Sequence, residues 1–444
     1  MRNRKWMLLI WLLLIFSLNT QNGAAAKSLV GPLQVGAGQA AIQIPEGFFP
    51  TQGFDGIHDD LYVKTLLFNN GIIQTAIVSV DMTSLSNIDG MKEVVQKNTG
   101  VKPENIFIYA AHNFSSPHVF GGDGDKKTAM FAQALNKALA TSAKEASAGL
   151  KAAKIGYDTG ISNVNINRDI LTTEGWWHGS NAAAYSDKEL GVMKIDDVSG
   201  KALAIFMNYS VQSSVLDESV SNEGKRMISA DLAGAATKYI EEKYKAAGTI
   251  AFFGIGSAGD QSPILMANRY TMNDSGISVR KDIHDTGYIV LGLLGERLGA
   301  DAVSVAQNIT DKQSEVDLTV INDSVICQSQ KMPERQKPAD MKPVKQYAYQ
   351  ETGEIKVPIA IMKVGNIAIV GVQPELAAII GADIKKKSPI KNTLVLTMVN
   401  GAAKYMADKD SYDKFTYEAR NSHHAKGSAE RVEAKILSML ETLK

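Results

Sequence analysis

Cysteine is almost missing from this chain, since Cys327 is the only one among 444 residues. One thiol cannot form an internal disulfide, so the fold must be held by core packing and the class of small disulfide-stapled proteins is excluded. Net charge is missing as well, because 47 lysines and arginines balance 47 aspartates and glutamates. Without a basic field, we expect no nucleic-acid partner.

Long apolar runs are missing beyond residue 26, so we expect no membrane-spanning segment there. Before it, three basic residues precede "WMLLIWLLLIFSL", and "AAA" follows at 24–26. This order is typical of a secretory signal peptide, and the run is shorter than the roughly 20 residues of a membrane anchor, the alternative interpretation. We therefore expect residues 1–26 to be removed and 27–444 to be secreted, with cell-surface association or transient membrane-surface contact left open.

The chain has no internal repeat, but strand-like and helix-like segments alternate along it. "TAIVSV", "NIFIYA" and "IAFFGI" are near-continuous apolar runs, which is typical of strands covered on both faces. Residues 285–307 and the C-terminal stripe from Val432 to Leu443 have helical spacing. The pattern predicts a layered α/β fold with mixed sheets flanked by helices, in a single large catalytic-type domain. The Lys- and Pro-rich stretch 331–354 is predicted to be an exposed excursion.

Polar residues follow several of the predicted strands, where α/β proteins usually bind ligands. His112 follows "NIFIYAA", Gln212 follows "ALAIFMNYSV", Glu375 follows "IAIVGVQP" and Tyr405 follows "LVLTMV". Each residue alone has an ordinary structural explanation: a hydrogen-bonded histidine, for example, or a glutamate that favours a helix start. "GDQSP", after "TIAFFGI", could be a turn with a capping serine. Only their joint occurrence predicts a site.

The same segments carry a family resemblance through their order. "GIHDDLYVK", "VSVD", "AHNFSSPH", "NINRDI", "GDQSPI", "QPEL" and "NGAAKYMADKDSYDKFTYEA" follow one another along the chain. In this order they resemble the motifs of the neutral/alkaline, non-lysosomal ceramidases, from near residue 35 almost to the C-terminus. Full-length members carry a further C-terminal immunoglobulin-like domain, which we expect this divergent chain to lack.

The resemblance implies hydrolysis of the amide of N-acylsphingosine. In that family one zinc ion, held by two histidines, a glutamate and a tyrosine, polarises the carbonyl and activates a water. The matching zinc ligands in this chain are His112, Glu375 and Tyr405. The serine treated in the family as catalytic matches Ser262, and the active-site arginine matches Arg168.

Two positions depart from the family pattern. Phe114 stands where the family has the second histidine of its H-T-H motif, and Gln212 stands at the second ligand histidine. A neutral amide oxygen is a poor zinc ligand beside imidazole. Three alternatives stay open: Gln212 ligates weakly, His118 or His178 takes its place, or the metal is lost and the remaining polar residues do other work.

We therefore predict a secreted hydrolase that cleaves an amide bond of an N-acylated lipid or related substrate, with metal assistance. The alternative is a non-catalytic or metal-free relative that binds a lipid, glycan or cell-wall ligand in the retained pocket.

Three further features, a tryptophan pair, a Gly-rich stretch and a histidine pair, give weaker signals. Trp176 and Trp177 are predicted to lie in a loop, where they would line an apolar substrate mouth, touch a lipid surface or pack on the protein body. "GGDGDK" at 121–126 is predicted to be a flexible rim, and His423 and His424 to lie in a solvated loop.

Overall fold

A computed structural model describes residues 30–119, 126–334 and 342–444. The predicted signal peptide, and all of "GGDGDK" but its last residue, lie outside these ranges. The helices in these ranges are α1 (Ile88–Thr99), α2 (Lys126–Ala148), α3 (Asp231–Lys243), α4 (Thr286–Asn308), α5 (Ala378–Lys387), α6 (Lys409–Asp413), α7 (Tyr417–Arg420) and α8 (Ser428–Glu441).

The strands of the first half are β1 (Val30–Pro32), β2 (Gln34–Ala41), β3 (Gly56–Ile57), β4 (Tyr62–Asn69), β5 (Gln74–Val80), β6 (Ile106–Ala110), β7 (Lys151–Ile161), β8 (Asn165–Thr172), β9 (Gly175–Asn181), β10 (Glu189–Asp197) and β11 (Ala202–Tyr209). Those of the second half are β12 (Met227–Ile228), β13 (Ile250–Ile255), β14 (Gln261–Pro263), β15 (Asn268–Met272), β16 (Ser278–Asp282), β17 (Glu315–Gln330), β18 (Glu351–Val364), β19 (Ile367–Val372), β20 (Glu375–Leu376), β21 (Asn392–Leu396) and β22 (Tyr405–Met406).

Two mixed sheets form the centre of the molecule. The larger has the strand order β13-β11-β10-β7-β2-β4-β5-β6, and the smaller has the order β1-β17-β18-β19-β21. Three neighbouring pairs are parallel: β11 with β13, β5 with β6, and β19 with β21. The other neighbours in both sheets are antiparallel.

The two sheets pack face to face and helices cover their outer faces. Successive side chains of a strand point to opposite faces, so Leu66 of β4 joins the core between the sheets and Leu67 packs under α1 and α2. In β19, Ile369 faces the same central core and Val370 packs under α5 and α8. The result is a layered α–β–β–α arrangement that confirms the predicted fold class.

The stretch 331–354 connects β17 to β18. Its described residues up to 350 have no regular secondary structure and are exposed or half-buried. Residues 351–354 differ from the prediction, because they begin β18 and pair with β17. Tyr349 donates a hydrogen bond to the Tyr412 carbonyl at 3.2 Å, so this connection lies against α6.

Two predictions about the chain as a whole can be compared with these ranges. Cys327 is buried and forms no disulfide. No helix in the described ranges combines the length and the apolar character that crossing a membrane requires.

Candidate functional site

The carboxyl ends of three parallel strand pairs meet at one edge of the two sheets. His112 follows β6, Gln212 follows β11 and Glu375 follows β19. One isolated parallel bridge, between Asn113 and Ser213, joins the first two segments. β20 and β22 pair in parallel, which sets Glu375 beside Tyr405 in register. The strand pairing therefore brings the predicted residues together from distant segments. Strand ends of this kind are where ligands bind in α/β proteins.

A continuous line of polar contacts runs through this edge. His112 Nδ1 lies 2.7 Å from the Thr83 carbonyl, and its Nε2 lies 2.8 Å from Glu375 Oε2. Gln212 Nε2 donates to the same Glu375 oxygen at 3.0 Å. Arg168 Nη1 donates to Gln212 Oε1 at 2.6 Å. All five side chains are buried, so each depends on its neighbour in place of water.

Two charged side chains, Glu375 and Arg168, set the electrostatics of the site. Burial would raise the pKa of Glu375, but His112, Arg168 and Gln212 outweigh it and hold that pKa below its usual value. Arg168 Nε donates to Glu418 Oε1 at 2.7 Å. Burial disfavours the charged guanidinium, yet Glu418 and its other neighbours keep the pKa of Arg168 well above its usual value. Both charges are therefore retained inside the protein.

Tyr405 is a neutral phenol at the floor of the site. Burial and then Glu375 raise the pKa of Tyr405 well above its usual value. The Arg168 guanidinium lies 5.3 Å from the centroid of its ring. His424 Nδ1 lies 3.4 Å from the Tyr405 carbonyl, and burial lowers the pKa of His424 to about 4. The predicted solvated loop is thus wrong for His424, which is buried, while His423 is exposed.

A pocket of about 230 Å³ opens above this floor, and Arg168, Gln212, Ser262 and Tyr405 line it. Ser262 is a buried residue of β14, so "GDQSP" is not the capped turn that the isolated motif suggested. β14 pairs with β8, the strand of Arg168, and the Arg168 amide donates to the Asp260 carbonyl at 3.0 Å. The two predicted catalytic residues therefore stand on neighbouring strands.

Phe114 separates His112 from the pocket. The two rings pack edge to face with centroids 4.6 Å apart, and Phe114 lines the pocket whereas His112 does not. His178 lines the pocket wall and packs against Tyr417, with ring centroids 4.3 Å apart. Burial, and then Arg168, lower the pKa of His178 to about 3, so it is neutral. His118 does not line the pocket.

The two tryptophans lie in β9, which corrects the predicted loop. Neighbouring residues of a strand point to opposite sides, so only one of them faces the pocket. Trp177 is buried in the pocket wall, with ring centroids 6.0 Å from Tyr270 and 5.7 Å from Tyr417. Trp176 is half-buried, with the Lys414 ammonium 5.2 Å from its ring.

The residues at the floor do not fit the four-ligand zinc site that the resemblance implies. His112 Nε2 and Glu375 Oε2 are compatible with a shared metal, because Nε2 is buried and makes no properly oriented hydrogen bond. Gln212 is not compatible, because its oxygen accepts from Arg168 and its amino group faces Glu375. In the described ranges, no three His, Cys, Asp or Glu side chains are grouped as a metal site.

Two residues of the site were not singled out from the sequence. Glu418, which holds Arg168, lies in the "TYEA" end of a quoted motif, so a signal for it was present. Asp217 lines the pocket without any sequence signal. Burial, and then Glu218, raise the pKa of Asp217 to about 7.

Comparisons with solved structures agree with this architecture. A ceramidase complexed with C2 has a TM-score of 0.71 at 17% identity, covering 93% of this chain and 75% of its own. The neutral ceramidase from Pseudomonas aeruginosa has a TM-score of 0.69 at 17% identity, covering 93% of this chain and 74% of its own. At this identity the likeness shows a shared fold. No known family profile and no curated protein matches the chain.

Proposed function

We propose that this chain is a hydrolase that cleaves the amide bond of an N-acylated lipid or a related N-acyl amine. The observation that carries the proposal is the convergence of Arg168, Gln212, Ser262 and Tyr405, from four distant segments, on the floor of one pocket. Trp177 and other aromatic residues form its wall, which suits an apolar acyl chain. The fold adds support, since the two solved structures compared above are ceramidases.

The floor residues offer what amide hydrolysis requires. In the transition state, negative charge develops on the carbonyl oxygen, and preorganised donors in a water-poor site stabilise it. The Arg168 guanidinium and the neutral Tyr405 phenol supply such donors. If the Ser262 hydroxyl attacks the carbonyl carbon, its proton passes to the departing amine as the C–N bond breaks, and water then hydrolyses the ester to the carboxylic acid and restores the hydroxyl. If it only hydrogen-bonds the carbonyl, water attacks directly and gives the same acid and amine. Loss of one donor of this kind typically lowers kcat by about 10²–10³.

The proposal assigns no step to a metal, because the Gln212 oxygen is engaged by Arg168. Secretion after removal of residues 1–26 belongs to the same proposal and rests on the N-terminal sequence pattern. The expected substrate is a small or lipid-like amide.

The test is turnover of N-acyl amines of graded acyl length by the purified protein. We expect cleavage that is lowered by at least about 10²-fold in Tyr405→Phe and in Ser262→Ala. Ser199→Ala is the control, because Ser199 lies in the exposed turn between β10 and β11. If no amide is cleaved, or if the control loses as much activity as the two site variants, the hydrolase proposal fails. Ligand binding without turnover would favour the non-catalytic alternative.

A further inference from the structure

The orientation of the Gln212 amide is fixed by its two neighbours. Its oxygen accepts from Arg168 at 2.6 Å and its nitrogen donates to Glu375 at 3.0 Å. A flipped amide would turn its amino group to a guanidinium and its oxygen to a carboxylate, and both contacts would be repulsive. The side chain is 2% exposed, so no water relieves such a mismatch. The oxygen that a metal would need is therefore kept away from His112 and Glu375.

The charged side chains of the floor already have polar partners without a cation. Arg168 Nε donates to Glu418 Oε1 at 2.7 Å. Glu375 Oε2 has His112 Nε2 at 2.8 Å and the Gln212 amino group at 3.0 Å. The amide of Gln212 joins these two pairs into one buried line of contacts. A divalent cation bound to Glu375 would engage the carboxylate that now faces the Gln212 amide. It would also lie near the positive charge of Arg168, which Glu375 would then neutralise less.

We propose that Gln212 takes the place of a metal in this centre: its amide bridges Arg168 to Glu375, and the protein carries out its function without zinc. A single residue, Gln212, sets this property, because the other predicted donors, His112, Glu375 and Tyr405, stand at the same strand ends. The inference goes beyond the proposed hydrolase, since it concerns the resting centre and holds whatever reaction the pocket supports.

The test compares three forms of the full chain by zinc content. Wild type, Gln212→His and Gln212→Leu are dialysed against zinc, then against metal-free buffer, and analysed for bound metal. We expect less than about 0.1 zinc per chain in wild type and in Gln212→Leu, and about one in Gln212→His, which gains an imidazole ligand. Gln212→Leu is the matched control, because it removes the bridge and adds no ligand.

Two further measurements make the outcome decisive. Glu375→Ala in the Gln212→His background should return the zinc content to the wild-type level. Added zinc should raise the Tm of Gln212→His and leave that of wild type unchanged, because a metal that binds only the native state stabilises it. About one zinc per wild-type chain, lost in Glu375→Ala, would overturn the proposal. A folded Gln212→His that takes up no zinc would show that Gln212 is not the determinant.

The zinc measurement stands even if Gln212→His does not fold, because the wild-type content alone can contradict a metal-free centre. It is also separate from the hydrolase test. A wild-type protein without zinc that cleaves amides satisfies both proposals, and one that cleaves none rejects only the hydrolase. Activity that disappears on zinc removal and returns on zinc addition would overturn the metal-free centre and leave the hydrolase intact.

Discussion

At the scale of single residues, Asp217 is a half-buried carboxylate in the lining of the pocket. Burial raises its pKa to about 7, and Glu218 and Asp231 act in the same direction. Arg226 and Arg280 oppose the shift without cancelling it. A carboxyl whose pKa is raised binds its proton more tightly in the folded than in the unfolded chain, so the charged form is a cost to the native state.

Asp217→Asn should therefore stabilise the protein in a pH-dependent way. The folded pKa of about 7 lies above the ordinary value of 3.8, so wild-type stability from this residue falls as pH rises from about 4 to about 7 and is constant above. The variant lacks this loss. The full shift corresponds to about 4 kcal/mol, and solvent reaches this half-buried group, so the advantage at pH 8 should be on the order of 2 kcal/mol, vanishing near pH 4. Urea unfolding at several pH values measures it.

The matched control is Asp197→Asn at the end of β10, beside the exposed turn that leads to β11. There the Ser199 hydroxyl lowers the pKa of Asp197, which is the opposite direction, so this variant should gain nothing at pH 8. An equal gain in both variants, or an advantage of Asp217→Asn that does not change with pH, would contradict a raised pKa at Asp217.

At the scale of elements, the close approach of two loops sets the site. The loop between β13 and β14 carries Gly259, whose amide donates to the Leu376 carbonyl of β20 at 2.9 Å. A Cβ added at Gly259 would lie 2.8 Å from the Glu375 carbonyl oxygen and 3.0 Å from that of Leu376. Both contacts are to backbone atoms, which cannot relieve the clash by changing rotamer as a side chain can. Only glycine lets the segment of Ser262 pack this closely on the segment of Glu375.

Gly259→Ala should therefore push β14 away from β20. We expect a loss of about 1–3 kcal/mol in the free energy of unfolding, as for overpacking in a core, and reduced amide turnover through the displaced Ser262. Gly292→Ala is the control, because Gly292 lies on the exposed face of α4 with nothing within 4 Å of the added Cβ. It should gain about 0.5–1 kcal/mol. Similar urea midpoints for both variants would refute the steric argument.

The elements that the sequence could predict are those with strong apolar runs or helical stripes. β5, β6 and β13 are buried along almost their whole length, and their apolar residues run without interruption. β15 and β16 form a hairpin in which no residue is buried, so neither alternation nor a run marks it. The sequence of β9 predicts a loop, because Gly, His, Ser and Asn surround its two tryptophans. Such strands are fixed by their partners in the sheet.

The residues of the site could also be predicted only in part. His112, Glu375 and Tyr405 follow strong strands, and their order along the chain indicated that they would converge. The bridging role of Gln212 could not be predicted, because it depends on Arg168 and Glu375, which lie 44 and 163 residues away. Asp217 has no motif at all, and its pKa reflects burial, which only the assembled pocket creates.

At the scale of the whole molecule, the two sheets share one central core, and the pocket lies at its edge. That core joins side chains of both sheets, including Phe206 of the larger and Ile369 of the smaller. The outer layer of α5 and α8 packs on the other face of the smaller sheet. Every strand of the smaller sheet that α8 covers also contributes side chains to the central core. We therefore expect a substitution that destabilises α8 to destabilise the pocket as well, through the sheet that both pack on.

Ile436→Ala tests this coupling. Ile436 lies in α8, is fully buried and packs with the outer cluster of α5 and α8. Its truncation should cost about 2–5 kcal/mol. Of the four tryptophans, Trp6 and Trp11 belong to the predicted signal peptide, so fluorescence of the mature chain reports on Trp177 in the pocket wall and on its neighbour Trp176 in β9. We expect thermal unfolding followed by this fluorescence and by far-UV circular dichroism to coincide and to shift together. A circular dichroism transition that moves to lower temperature while the tryptophan transition stays in place would mean that the α8 layer unfolds separately from the pocket.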